Sequence, residues 1–232
     1  MPETRGQILW LLASGLSPLE RKERSGMLVQ AALVGSRKGL IVKDSFDRAD
    51  AAALGAADSG QAWSAADGTW GVIGARCYLS SATAHGSVVM ELRTPDIDME
   101  VDCRLSTAVN RADFGPLFRN IDNSNYLLGV LGKVVGVDHI ALYKREAGAF
   151  TQLAEVASAG LVEGRTYKFR IVARGTRIEL LVDGVSKISY TLTGGDATLF
   201  TTPTKIGFRT NVDAGADDGG SRYDNLSVRR AS

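Results

Sequence analysis

Alternating carboxylates offer the clearest opportunity for catalysis in this chain. Residues 96–100 are Asp-Ile-Asp-Met-Glu, and on a β-strand the side chains of Asp96, Asp98 and Glu100 point to the same face. Two such carboxyl groups can act as nucleophile and general acid in retaining glycoside hydrolysis, provided they lie about 5–5.5 Å apart. An ordinary half-buried strand has the same pattern, because the apolar residues between the carboxylates face the core. We prefer this second interpretation and expect no enzymatic activity.

Two oxygen-rich loops are candidate calcium sites. Calcium prefers six to eight oxygen ligands, which Asp and Asn side chains supply. The candidate ligands are Asp213, Asp217 and Asp218 in one loop and Asp122, Asn123 and Asn125 in the other. Neither loop has the ligand spacing of an EF-hand, and Asx residues in such loops more often form turns. Structural calcium is therefore an open alternative, and we expect no other metal or cofactor.

Several side chains have the chemistry of a sugar-binding site. Such a site needs an aromatic ring for stacking, with amide, carboxylate or guanidinium groups beside it. Residues of these types include Trp63, Trp70, Tyr126, Tyr143, Arg119 and Asn120. Our candidates for glycan binding are Arg119, Asn120 and Tyr126, which flank the loop 122–125, together with Trp63. Trp63 follows a turn and fits a place in the core equally well.

Other common kinds of site are not indicated. His85 and His139 are the only histidines, and neither adjoins a serine or cysteine in a known catalytic motif. The sequence has no glycine-rich phosphate-binding loop before a helix, and its net charge of +1 disfavours nucleic acid as a partner. Cys77 and Cys103 do not have metal-ligand spacing. We interpret them as buried thiols, with one cross-strand disulfide as the alternative.

From residue 44 onward, short strands and turns must position these side chains. The chain has 26 Gly and 5 Pro, and 44% of its residues are hydrophobic, which suits many short strands joined by glycine turns. Asp183-Gly184 predicts a tight hairpin, because both central residues of a type I′ turn need positive φ. Twelve strands are predicted, over 70–78, 87–93, 97–105, 114–120, 126–132, 138–144, 151–157, 166–173, 177–182, 186–192, 205–210 and 222–229. This spacing predicts an antiparallel β-sandwich.

Residues 1–43 have a different character and predict a short helical arm. Residues 17–20, Ser-Pro-Leu-Glu, are a strong helix start, and this helix is predicted to run to about residue 34. An earlier helix is predicted over 3–13. The segment holds seven basic and three acidic residues, whereas the rest of the chain has a net charge of −3.

Parts of this arm are apolar on every side and must be buried against something else. Either the sheet of its own domain or other subunits can cover them. We favour other subunits, because basic charge and a bulky tryptophan suit an interface. The predicted docking residues are Trp10, Leu11, Arg21, Lys22, Arg24, Met27 and Leu28.

The start of the strand-rich region resembles a known family of domains. Residues 44–50 (D-S-F-D-R-A-D) lead through the segment 54–63 (L-G-A-A-D-S-G-Q-A-W) to G-T-W-G at 68–71. Later matching segments are 126–130, 140–144, 164–172, 180–185, 205–210 and 223–228. Together they resemble concanavalin A-like, laminin-G-like jelly-roll domains over residues 44–232. The resemblance implies an all-β antiparallel jelly-roll sandwich with Trp70 in the core.

The resemblance also implies a function, since domains of this family mostly bind sugars or build assemblies. Domains with this opening are similar to those of bacteriophage minor tail and other virion proteins and of secreted actinobacterial proteins. The apolar run 8–12 is too short for a convincing signal peptide. Our leading hypothesis is therefore a bacteriophage virion structural protein, a minor tail or capsid-associated subunit, assembled in the host cytoplasm. Secretion is the alternative location.

In this hypothesis the arm docks on other virion subunits, as part of a homo-oligomer or larger assembly. The lectin-like sandwich faces outward and contacts host surface polysaccharide. No membrane span is expected, because no apolar stretch approaches the roughly 18–20 residues required.

Two other functions stay open. One is a freestanding carbohydrate-binding module. The other is a laminarinase-like glycoside hydrolase, because residues 96–100 resemble the E-x-D-x-E strand of laminarinase-type enzymes. Asp96 replaces the glutamate nucleophile of that motif, which sets its carboxylate back by about one methylene and disfavours the geometry of retaining hydrolysis.

Overall fold

The computed structural model describes residues 39–107, 112–134, 137–211 and 220–231, with only the backbone described at 112, 113, 134 and 137. The seven predicted docking residues lie outside this part of the chain, as do the calcium candidates Asp213, Asp217 and Asp218. Those assignments therefore stay predictions. No helix in the described part is long and apolar enough to cross a membrane.

Antiparallel strands make up most of the described residues, with one short helix. The strands are β1 (Leu40–Asp44), β2 (Ser64–Asp67), β3 (Thr69–Ile73), β4 (Arg76–Ser81), β5 (His85–Glu91), β6 (Ile97–Arg104), β7 (Ala112–Asp122), β8 (Asn125–Val134), β9 (Val137–Glu146), β10 (Ala149–Ala157), β11 (Thr166–Arg174), β12 (Arg177–Val182), β13 (Val185–Thr191), β14 (Lys205–Asn211) and β15 (Arg222–Arg230), and the helix α1 is Gly194–Phe200.

The strands form two sheets that pack as a sandwich. The eight-stranded sheet has the order β13-β12-β11-β6-β15-β4-β3, and β1 pairs with β15 beside β4. The seven-stranded sheet has the order β10-β9-β8-β7-β14-β5-β2. The predicted all-β antiparallel jelly-roll sandwich is confirmed.

Tyr223 of β15 joins the two sheets through the core. Its ring stacks on Phe208 of β14, with ring centroids 4.1 Å apart and an interplanar angle of 11°. Its buried hydroxyl donates to the carbonyl oxygen of Arg209 over 2.6 Å and lies 2.9 Å from Thr210 Oγ1. A buried hydroxyl needs such partners. The bond fixes the backbone of β14 at Arg209, a residue of the candidate site described below.

The two cysteines lie on either side of the same residue. Cys77 of β4 and Cys103 of β6 are each opposite Tyr223 of β15. Since neighbouring strands are about 4.8 Å apart, two strand spacings separate their Cα atoms by about 9–10 Å, beyond the limit of about 7 Å for a disulfide. Both cysteines are free and buried, and burial raises the pKa of both thiols. The prediction of buried thiols is confirmed, and the disulfide alternative is wrong.

Some element boundaries differ from the predicted ones. The sandwich includes Leu40–Asp44, which pairs with β15, so that residues 40–43 are strand rather than arm. The single strand predicted over 70–78 is two strands, because Gly74 and Ala75 form a turn with φ of 54° and 57°. The hairpin predicted at Asp183-Gly184 is confirmed, with φ of 50° and 78°.

Candidate functional site

The carboxylates of β6 are paired with cations on the outward face of the eight-stranded sheet. Arg170 of β11 donates two hydrogen bonds of 2.7 Å to Asp98. Lys168 Nζ lies 3.3 Å from Glu100 and 3.2 Å from Asp102. The intervening residues of β6 are buried, as the period-two pattern predicted. The arrangement is that of a central strand with one solvated face and one core face.

The Asp122 loop is built by hydrogen bonds within the protein. Asp122 Oδ1 accepts from the backbone N–H of Ser124 over 2.7 Å and from Asn125 Nδ2 over 2.9 Å. Asn123 Nδ2 donates to the carbonyl oxygen of Ala66 over 2.6 Å. The bond from Ser124 to Asp122 is the Asx-turn contact that the sequence offered as the alternative to calcium. Within the described residues no group of three His, Cys, Asp or Glu side chains is placed to hold a metal ion.

Trp63 is largely a core residue, although it also lines a separate cavity of about 320 Å³ together with Trp70. Its side chain is 9% exposed, and its ring stacks on Phe208 at 5.2 Å between centroids. Its indole Nε1–H donates to Asp44 over 2.7 Å. The core alternative named for Trp63 is the one that the geometry supports.

Arg119 and Asn120 are both buried but face different surroundings. Arg119 Nη2 lies 3.4 Å from Asp96 Oδ1, and burial lowers the pKa of the guanidinium while Asp96 opposes that shift. Asn120 donates to the carbonyl oxygen of Asp122 over 2.8 Å. It also lines an open groove of about 710 Å³ beside α1, together with Ile121 and other residues. The four predicted glycan residues therefore do not form one patch.

Tyr126, the fourth of these residues, belongs to the outward face of the seven-stranded sheet. In β8 the side chains of Leu127 and Leu131 point into the core, so Tyr126, Leu128 and Val130 point the other way, where they form a second cluster. Tyr126 is 1% exposed. It therefore supports its neighbours on this face and does not itself offer a stacking surface.

Phe150 of β10 is the exposed aromatic residue of this face. It is opposite Arg145 of β9, and 43% of its surface is exposed. Among the described residues no other Phe, Tyr or Trp falls in the exposed class. Tyr126 and Tyr143 contact its ring edge-to-face, at 6.2 Å and 6.3 Å between centroids. Such contacts are a favourable aromatic geometry and hold the ring in place.

Two guanidinium groups lie against the same ring. The Cζ atoms of Arg145 and Arg209 are 5.2 Å and 4.9 Å from the Phe150 centroid, within the range of cation–π attraction. Arg145 is held by the carbonyl oxygens of Asn123 and Gly148, at 2.8 Å and 3.1 Å. Arg209 comes from β14, three strands away from β9 in the sheet. The ring thus joins cationic groups from separate strands.

A cavity of about 270 Å³ opens beside this ring, and we call it the Phe150 cavity. It is lined by Leu128, Val130, Tyr143, Phe150, Arg209 and Asn211. Its polar groups are ordered, since Arg209 Nη1 donates to Asn211 Oδ1 over 3.0 Å and the Tyr143 hydroxyl donates to Gln152 Oε1 over 2.8 Å. Aromatic walls with a few placed polar groups are typical of small-ligand sites.

The electrostatic character of this face is cationic. His85 of β5 lies 3.4 Å from Asp67 of β2. Burial lowers the pKa of His85, Arg209 and Arg145 lower it further, and Asp67 opposes them. Positive charges from β9 and β14 therefore act on the same region of the sheet, and they disfavour protonation of His85 in β5.

Sequence reasoning named Tyr126 and Tyr143 but missed Phe150, Arg145 and Arg209. A usable signal was present, because Ile140 and Leu142 of β9 are core residues and alternation places Tyr143 and Arg145 outward. The short turn after β9 then places Phe150 opposite Arg145. Nothing in the sequence pairs Arg209 with these residues, since its position depends on the order of strands in the sheet.

Comparisons with known proteins place the fold. In sequence, no family model and no curated protein matches the chain. The carbohydrate-binding module CBM66 from Bacillus subtilis is 15% identical, with a TM-score of 0.54 over 72% of this chain and 94% of that one. Domain 4 of AbnA, a GH43 extracellular arabinanase from Geobacillus stearothermophilus solved with arabinotriose, is 14% identical, with a TM-score of 0.51 over 83% of this chain and 93% of that one.

The exoplasmic/lumenal domain of VIP36, in its Ca²⁺/Man2-bound form, is 12% identical, with a TM-score of 0.53 over 84% of this chain and 88% of that one. At identities this low, the structural similarity shows the fold alone. The described chain is a concanavalin A-like jelly-roll domain in its fold.

Proposed function

We propose that the sandwich is a carbohydrate-binding module that holds a glycan at the Phe150 cavity. The observation that carries this proposal is the exposed Phe150 ring, braced by two tyrosines beside the ordered side chains of Arg209 and Asn211. It is supported by structures of the same fold whose names describe a carbohydrate-binding module or a bound carbohydrate.

The geometry suits a sugar ring for a physical reason. One face of a pyranose or furanose is largely C–H and packs on an aromatic ring, while its hydroxyls need hydrogen-bonding partners at the edge. Phe150 supplies the apolar surface, and Arg209, Asn211 and Gln152 supply polar groups around it. Because the cavity is small, we expect it to hold one sugar unit of a longer chain.

Removing the ring tests this site. In the full-length protein, Phe150→Ala is expected to weaken binding to a polysaccharide ligand about tenfold, or about 1.4 kcal/mol, because the stacking surface is lost. The ligand is first identified by affinity electrophoresis against levan, arabinan, mannan and polygalacturonate, and affinities are then measured by isothermal titration calorimetry.

Ile121→Ala is the matched control for this variant. Ile121 is also an exposed apolar residue, at 37% exposure, but it lines the separate groove beside α1. We expect it to bind as the wild type does. If Ile121→Ala loses the affinity and Phe150→Ala keeps it, the site is the groove and not the Phe150 cavity. If the wild type binds none of the four polysaccharides, the proposal fails.

Catalysis by the β6 carboxylates is not part of the proposal. Glu100 shares Lys168 with Asp102, and Asp98 is held by Arg170. We expect neither the wild type nor Glu100→Gln to release reducing ends from the polysaccharide that it binds. Release by the wild type that is abolished in Glu100→Gln would restore the laminarinase-like hypothesis.

The virion hypothesis has less support than the carbohydrate-binding module. Nothing in the described fold or in the compared structures supports a place in a bacteriophage particle, and the freestanding carbohydrate-binding module agrees better with both. Docking on other subunits, oligomerisation and location in a virion stay predictions from the sequence of residues 1–43.

A further inference from the structure

Arg209 is a buried cation whose hydrogen-bonding capacity is largely unused by the described residues. The residue belongs to β14, a central strand of its sheet, and is 7% exposed. Nη1 donates to Asn211, whereas Nε is buried and has no acceptor among the described residues. No described carboxylate lies within ion-pair distance of it, although Arg48, Arg119, Arg165 and Arg170 all have one. Arg209 is therefore unlike these other arginines.

A desolvated guanidinium without an anionic partner is unfavourable for the free protein. The Phe150 ring at 4.9 Å compensates only in part, because cation–π attraction is weaker than an ion pair in the same surroundings. Arg145 adds a second cation at the same ring. A ligand that places a negative charge beside Arg209 would therefore gain more binding free energy than it would at an uncharged site.

The carboxylates near this face do not meet that need. Asp67 lies beside His85 at 3.4 Å, and Glu155 accepts a hydrogen bond of 3.2 Å from Gln152. Neither is within ion-pair distance of Arg209 or Arg145. The face keeps an excess of positive charge at the Phe150 cavity.

We propose that the Phe150 cavity recognises an acidic glycan, with the carboxylate of a uronic acid unit placed against Arg209 while its sugar ring stacks on Phe150. This inference rests on the proposed function and specifies its ligand class. A carboxylate fits because the planar guanidinium donates in a fork that matches two carboxylate oxygens. The ring and the guanidinium are adjacent, so one sugar unit reaches both.

A comparison of charged and uncharged forms of one polysaccharide tests this assignment. Isothermal titration calorimetry of the full-length protein uses polygalacturonate, fully methyl-esterified polygalacturonate, arabinan and a wall teichoic acid at one fixed ionic strength. We expect polygalacturonate to bind about tenfold or more tightly than its methyl ester, which has the same sugar without the charge.

Variants locate the effect. Arg209→Gln is expected to lose the preference for the acid over the ester, and Arg209→Lys to lose most of it, since an ammonium group cannot form the fork. Arg174→Gln removes an exposed charge on the eight-stranded sheet and is expected to keep the preference. Thermal unfolding checks that each variant folds. If Arg209→Gln does not fold, the comparison of acid and ester on the wild type still decides whether the ligand is acidic.

The outcomes separate this inference from the proposed function. Equal binding of acid and ester, or binding of arabinan alone, overturns the acidic ligand and leaves a carbohydrate-binding module. Preference for teichoic acid over polygalacturonate overturns the carboxylate in favour of a phosphate. Equal losses in Arg174→Gln and Arg209→Gln show a nonspecific charge effect and overturn the site. Binding of no polysaccharide removes both proposals.

Discussion

Asp44→Asn is expected to lower the free energy of unfolding by about 3 kcal/mol or more, because a buried carboxylate with several donors loses an acceptor. Asp44 is fully buried. It accepts from Arg48 Nη1 and Nη2 at 2.8 Å and 3.1 Å, from the Trp63 indole at 2.7 Å and from the backbone N–H of Phe46 at 3.1 Å. An amide in its place would direct an NH₂ group at one of these donors.

Equilibrium unfolding in urea measures this effect, and Asp47→Asn is its control. Asp47 lies three residues away in the same motif but is exposed, so its replacement is expected to change stability by no more than about 0.5 kcal/mol. The two variants remove the same formal charge. If they are equally stable, the hydrogen bonds of Asp44 do not hold this part of the fold.

The prediction gives the opening motif a physical meaning. Asp44 ties β1 to Arg48 and Trp63, and Asp58 accepts from both the backbone and the hydroxyl of Ser45. The hydrogen bonds from the Ser45 hydroxyl and from its backbone N–H are the main reason that the pKa of Asp58 is lowered. The motif therefore has a structural role, because its hydrogen bonds hold β1 and the following loop together. It indicates the fold, and Trp63 takes part in it as a core residue.

Most of the strands could be predicted because their side chains alternate between core and solvent. β6, β11 and β12 are clear cases, with buried residues at every second position. β2 could not be predicted, because Ser64–Asp67 has neither bulky nor β-branched residues and exists through pairing with β5. The helix α1 begins with two glycines and has little intrinsic helix propensity. In both cases tertiary contacts override the local sequence.

The candidate site was less predictable than the fold, for a reason of topology. Phe150 and Arg145 are neighbours across one hairpin, and local alternation would have been enough to find them, although they were not predicted. Arg209 is about sixty residues further along the chain and reaches them because the seven-stranded sheet places β7 and β8 between β14 and β9. Strand order of this kind depends on the packing of the whole sandwich, and no short sequence motif predicts it.

Arg119 and Asn120 differ from the sequence-based expectation in their exposure. Polar residues beside an Asx loop were taken as a surface patch, but both side chains are nearly fully buried. Arg119 has φ of 49°, so that β7 bulges where its pairing with β8 is interrupted. Regular alternation fails at such a bulge, and side-chain direction cannot be inferred from the sequence there.

Gly207→Ala is expected to destabilise the sandwich by about 3 kcal/mol, at the upper end of the range for overpacking. Gly207 lies in β14 between β7 and β5. A Cβ at this position would overlap the carbonyl oxygen of Val88 and lie 2.8 Å from its carbonyl carbon and 2.9 Å from the Cα of Val89. These atoms belong to the backbone of β5, so the strands must move apart and lose hydrogen bonds.

Gly195→Ala is the matched control, because no atom lies within 4 Å of a Cβ at that position in α1. Alanine is the better helix former there, and stability is expected to stay the same or rise by up to about 1 kcal/mol. Urea unfolding of both variants compares them directly. If Gly207→Ala is as stable as the wild type, the close approach of β14 and β5 is not required. The same displacement moves Arg209, two residues further along β14, so Gly207→Ala is also expected to lose glycan affinity wherever it still folds.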